Sequence, residues 1–139
     1  MDWKDCKNNK LIKEISEDMG LIKSLIDSSE KKYESNKRLD IDEVTSSTKI
    51  SIIYDALREI LEAIAIKKGF KIYNHECYCA FLKEICNEGN LGDDFNEFRK
   101  IRNKINYYGK NVDVNEAVIL IKEMINLRDK LIKKYIKNE

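Results

Sequence analysis

An all-α fold, an antiparallel up-and-down bundle of four to five helices, is what this sequence predicts, and three observations predict it. The chain has no proline and only five glycines. Lys, Glu, Ile and Leu, which lose little freedom in a helix or pack well along one, are plentiful. Apolar residues recur at alternating intervals of three and four, the spacing that lines one face of a helix. At 139 residues the chain reads as a single domain over residues 1–139, long enough to bury a real core.

The elements follow in order. Ile12, Ile15, Met19, Ile22, Ile26 and Tyr33 trace a long amphipathic first helix between Leu11 and Tyr33. After the polar break "RLDIDEVTSSTK", Ile50, Ile53, Leu57, Ile60, Leu61 and Ile64 stripe the second, and Gly69 is its natural stop. The connection "FKIYN" leads to a short third helix, about Glu76 to Cys86, closed by the turn "NEGNLG". The fourth opens at Asp93 or Asp94, whose charges suit a helix N-terminus, and ends at Gly109. Its stripe is Phe95, Phe98, Ile101, Ile105 and Tyr108. The fifth opens on the capping box "DVNE", Asp113 to Glu116, and runs nearly to the end along Val118, Ile121, Ile125, Leu131 and Tyr135.

Composition excludes several functions. With 26 basic and 25 acidic residues the formal charge is +1, so bulk attraction to nucleic acid or anionic lipid is ruled out and a local patch must supply any such binding. No apolar run approaches the ~20 residues that cross a bilayer, and no membrane association is expected. The opening "MDWKDCKNNK" lacks an apolar signal core, which predicts a cytoplasmic protein. In that compartment Cys6, Cys77, Cys79 and Cys86 are expected as reduced thiols. Metal ligands drawn from "HECYC" would sit two apart on a helix, pointing roughly 200° from each other, so neither a metal nor another cofactor is expected. His75, the only histidine, is expected to cap or precede a helix.

One stretch carries chemistry. "FRKIRNKINYYGKN", Phe98 to Asn111, holds Arg99, Lys100, Arg102, Lys104 and Lys110 without an acid, then ends in a tyrosine pair and a glycine. At 100° per residue Ile105 and Tyr108 fall on the apolar stripe. Arg99, Asn103, Asn106 and Tyr107 fall opposite, with Arg102 at the border. Tyr108 therefore reads as core, and Tyr107 has no packing reason for its place. On helix physics alone the stretch is a solvated basic end, its lysines favoured by the C-terminal dipole.

"RNKINYYG" at the end of a penultimate helix, together with "YDALREILEAIAIKKGFKIYNHE" from Tyr54 to Glu76, resembles the HEPN superfamily. The hallmark there is an arginine, a polar residue, and a histidine four to six residues after the arginine. The resemblance implies a bundle that pairs with a second copy, so that both motifs line one cleft. It also implies metal-independent RNA cleavage, in which the ribose 2′-OH attacks the adjacent phosphate, histidine moves protons and arginine steadies the phosphorane. Carried over by position, Arg102, Asn103 and Tyr107 are the catalytic residues, and Arg99, Arg102, Lys104, Asn106 and Lys110 contact RNA or a nucleotide. Tyr107 stands where the family has histidine. A phenol titrates near ~10 and imidazole near ~6.5, so a weak or degenerate endoribonuclease is expected. The resemblance further implies a toxin–antitoxin pair, in which a minimal nucleotidyltransferase adenylylates a tyrosine near the motif; Tyr107, then Tyr108, are the acceptors here. The alternative is a structural or partner-binding homodimer without catalysis.

Overall fold

The computed structural model describes residues 1–137. In chain order these form α1 (Trp3–Asn8), β1 (Ile12–Glu14), α2 (Met19–Arg38), α3 (Ser46–Lys67), β2 (Phe70–Ile72), α4 (His75–Ala80), α5 (Gly89–Tyr108) and α6 (Val114–Leu131). α4 and α6 each run on into a π-helical turn, Phe81–Ile85 and Ile132–Ile136. The fold is mostly helical, as the periodicity predicts.

The core is built around α3. Its stripe of Ile50, Ile53, Leu57, Ile60, Leu61 and Ile64 is buried, and Ala56, Ala63, Ala65 and Ile66 bury further parts of its circumference. A helix apolar on most sides must be covered on most sides. α2 packs against it antiparallel: Asn36 meets Lys49, Ser29 meets Ala56, and Ile22 clusters with Ala63 and Ile66. α5 is also antiparallel to α3, with Phe95 stacked on Tyr54 and Asn106 beside Ser51. α6 runs parallel to it, from the Ser46–Val112 contact to that of Lys67 with Tyr135. The four long helices thus alternate in direction along the chain.

Buried polar groups lock this arrangement by pairing with one another. Ser29 Oγ donates to Ala56 O at 2.6 Å and accepts from Arg128 Nε at 3.0 Å, while Arg128 Nη2 donates to Glu30 at 2.9 Å. The Lys49 ammonium donates to the carbonyls of Asn36 and Leu39, closing the orphaned end of α2. An unpaired charge at either position would carry a desolvation penalty of several kcal/mol, of the order of ~3–5.

Five expectations are corrected. The segment from Leu11 to Glu14 is not helical. Asp18 accepts from Leu21 N at 3.0 Å and so starts α2 at Met19. The residues before it pair antiparallel with β2, Ile12 opposite Ile72 and Glu14 opposite Phe70. "FKIYN" is thus partly a strand. An additional helix, α1, opens the chain under an Asp2–Asp5 capping box and buries Trp3 edge-on to Phe70 at 5.1 Å. α5 begins at Gly89 rather than Asp93 or Asp94, so most of the "NEGNLG" turn is its first turn.

The fourth correction concerns sulfur. Cys6 and Cys77 form a disulfide between α1 and α4, and only Cys79 and Cys86 are free thiols. The two cysteines are 71 residues apart, and the β1–β2 pairing together with the contacts of Trp3 on Phe81 and Glu84 brings their helices together. Fifth, Tyr108 is 82% exposed and not core. The α5 stripe is buried at Phe95 and Phe98 and half-buried at Ile101 and Ile105, then outruns its neighbours.

Gly92 sets how closely α5 approaches α4. A Cβ there would lie 3.0 Å from Cys79 O and 2.6 Å from Lys83 Cγ, and backbone cannot move aside as a lysine stem can. Gly89 has open space around it. We predict that Gly92→Ala destabilises the protein by about 1–3 kcal/mol in urea unfolding, while Gly89→Ala stays within about 0.5 kcal/mol of the parent. Equal values for the two would remove this close approach as a constraint.

Candidate functional site

The polar edge of α3 faces α4 and α5, and here the chemistry collects. Tyr54, Arg58 and Glu62 follow at intervals of four and share that face with Asp55. α4 supplies His75 as its first residue, held in place because Asn74 caps the helix by accepting from Glu76 N at 2.8 Å. α5 supplies Asn96, Arg99, Arg102 and Asn106, again one face at helical spacing.

Tyr54 is the floor. Its ring is fully buried, stacked on Phe95 with centroids 5.4 Å apart, and its hydroxyl meets His75 Nδ1 at 3.1 Å. The Arg102 guanidinium lies over the same ring, 5.4 Å from the centroid. Arg102 Nη2 stands 3.5 Å from Asp55 Oδ1, and Asn106, with its amide oxygen turned inward, accepts from Nε and Nη2 at 3.0 and 3.2 Å. Arg99 donates to Asn96 Oδ1 at 3.2 and 2.8 Å and lies 3.7 Å from Glu76. Arg58 is tied tightly to Glu62 at 2.9 Å, and Lys71 from β2 reaches the same carboxylate at 2.5 Å.

These distances rank the cations. Arg58 makes a hydrogen-bonded ion pair, whereas the carboxylate partners of Arg99 and Arg102 lie beyond good hydrogen-bond range. Those two guanidiniums spend Nε and Nη2 on asparagine amides, which carry no charge, and are the less closely neutralised of the three.

The surroundings set the protonation states. Burial, then the charges of Arg58, Arg102 and Arg99, pushes the His75 imidazole down to about 4, with Glu62 pulling the other way. It is neutral at pH 7. Burial pushes the Tyr54 and Tyr78 phenols up, so both stay protonated. Burial likewise raises the Cys79 thiol, against the pull of Arg99. Among the described residues no buried side-chain nitrogen or oxygen lacks a partner. With Nδ1 on Tyr54, His75 Nε2 is therefore the ring nitrogen open to solvent.

The expected site residues divide. Arg99, Arg102 and Asn106 join this cluster. Asn103 is half-buried on the flank of α5, and Lys104 and Lys110 are exposed. Tyr107 is 73% exposed in the last turn of α5, apart from Arg102, and Tyr108 beside it is equally open. His75, Tyr54 and Arg58 were not read from the sequence as parts of this site. Their one local signal was Arg58 and Glu62 interrupting the most apolar helix of the chain. Among the described residues no group of three or more His, Cys, Asp and Glu side chains is placed to hold a metal.

We predict that the imidazole C–H resonances of the chain's one histidine titrate with a midpoint near 4, and that Arg102→Gln moves the midpoint up. An unfolded histidine takes its proton near ~6.5, so this group favours the folded state above that pH and its contribution is lost as pH falls towards 4. His75→Gln should flatten the slope of stability against pH in that window. A midpoint near 6.5 in the folded parent would contradict the electrostatic picture. No family model, no curated protein and no solved structure matches the chain, so its functional reading rests on this cluster and on the sequence motif.

Proposed function

We propose that the chain is an RNA- or nucleotide-binding domain of HEPN type that seats a phosphate between Arg99 and Arg102, with only weak metal-independent cleavage of RNA. The observation that supports it is the convergence of Arg58, Arg99 and Arg102 on one half-buried imidazole. Planar guanidiniums with spare donors match phosphate oxygens in pairs, which a lysine cannot do. In this reading the 2′-oxygen of a ribose gives up its proton to water and attacks the neighbouring phosphorus. The P–O5′ bond breaks, the 5′-oxygen leaves as a hydroxyl on taking a proton from water, and Arg102 steadies the charge that builds on the phosphate oxygens. Tyr107, in the histidine's place in the motif, is a poor base, and it lies on the open end of the helix.

The same open end is where a second copy docks. Tyr107 and Tyr108 are large, adjacent and exposed, an arrangement that a lone chain gains nothing from. Pairing there would bring two α5 helices together, and it leaves the tyrosines within reach of a minimal nucleotidyltransferase when the chain is free. The cytoplasm is the compartment that goes with this reading, and the Cys6–Cys77 disulfide is then an exception to the reduced thiols usual there. Among the described residues no helix is long and apolar enough to cross a membrane. A purely structural homodimer is the second reading, and the exposed tyrosine pair favours it as well.

Two measurements separate the readings. Arg102→Ala should weaken binding of a short single-stranded RNA about tenfold or more, the ~1.5–3 kcal/mol of a charge-assisted contact. Lys133→Ala, an exposed change beyond α6, should leave it unchanged. Equal and small effects would reduce the cluster to a structural one. Light scattering at tens of micromolar should show a dimer that Tyr107→Ala/Tyr108→Ala converts to monomer; a parent that is monomeric throughout excludes both forms of the dimer.

A further inference from the structure

The cluster holds one group whose charge is not fixed. His75 presents Nε2 outward and Nδ1 inward to the Tyr54 hydroxyl at 3.1 Å. Around it stand Arg58, Glu62 and the Tyr54 ring from α3, Glu76 and the Tyr78 ring from α4, and Arg99 and Arg102 from α5. Lys71 of β2 touches the group through Glu62. Asp55, the partner of Arg102, and Glu76, which faces both Arg99 and the N-terminal ammonium at 3.7 Å, are paired only loosely, so the guanidinium field reaches the imidazole incompletely cancelled.

Resting on the phosphate-binding reading above, we propose that His75 is the proton-coupled member of the site: an oxyanion of the phosphate class that settles between Arg99 and Arg102 draws one proton from solvent onto the imidazole. Nε2–H then donates to an oxygen of the anion and Nδ1–H donates to Tyr54 Oη. No other bond is made or broken. The tyrosine hydroxyl is both donor and acceptor, so a rotation of its hydrogen accommodates either state of the ring.

The reason is electrostatic. Part of what keeps the ring neutral is burial, which a ligand does not relieve, and part is repulsion from the arginines, which an anion does relieve. Binding and protonation are then linked. The anion binds better the more the ring is protonated, and the ring protonates more readily once the anion is bound. Affinity should be highest at low pH and fall by about tenfold per pH unit between the free and the bound midpoints, levelling off above the bound one. A site made of arginines alone would show no such slope with an anion of constant charge.

The chain has one histidine, so the imidazole C–H signal reports this group with no assignment problem. The probes are inorganic sulfate and the dinucleotide UpU, each of constant charge between pH 4.5 and 8, against sodium chloride at matched ionic strength. With either probe saturating, the midpoint should rise by at least one unit from its value near 4, while chloride leaves it in place. His75→Gln should still bind, with an affinity that no longer depends on pH. Tyr54→Phe, which removes the acceptor for Nδ1–H, should shrink the rise. Binding that Arg102→Ala abolishes, with a midpoint that the bound probe does not move, overturns the proton coupling and leaves the phosphate reading standing. Absence of binding by both probes and by RNA overturns both. A rise of equal size in chloride also overturns it, because the effect would then be screening and not occupancy.

Discussion

The near-total burial of α3 is the constraint from which the rest of the fold follows. A helix with so little exposed surface cannot be covered by one partner, so α2, α5 and α6 must all lie along it and the chain must return past it each time. The polar side chains that α3 carries are consequently forced into use. Glu59 meets Lys32, and Lys49 closes the end of α2. Asp55, Arg58 and Glu62 occupy the one edge where the cover is made of polar residues from α4 and α5. Charged side chains therefore gather at the seam where the apolar cover ends.

Periodicity made the four long helices legible because each buries one face, and burial of a face is what a spacing of three and four records. It failed at the ends of elements, where other physics decides. Ile12 and Ile15 fall in phase with the stripe of α2, yet Asp18 starts that helix later and the backbone before it finds β2. Tyr108 falls in phase with the stripe of α5, yet no neighbour remains to cover it. The disulfide left no trace because pairing across 71 residues is a property of the folded chain. Arg102 was legible from a local motif. The meeting of Tyr54, His75 and Arg99 was not, since it joins three helices that only the tertiary fold brings together.

The two candidates for moving a proton illustrate what position adds to residue type. Tyr107 has the place in the motif and an open environment that gives it no help. His75 lies outside the motif but is oriented by Tyr54 and surrounded by cations. An imidazole so placed responds to what is bound, because its preference for the neutral form depends partly on charges that a ligand compensates. A phenol in open solvent has no such dependence to exploit.

The link between Cys6 and Cys77 has a mechanical consequence. It closes a covalent loop around α2, α3 and both strands, with the two termini outside it. Traction applied at the chain ends is carried across the sulfur bridge and bypasses the loop. About 240 Å of contour, 71 residues at ~3.4 Å each, is withheld from extension until the bridge is reduced. An unfoldase that pulls from the C-terminal end would work first on α6 and α5, and the loop that holds the central helix would bear the load only after them.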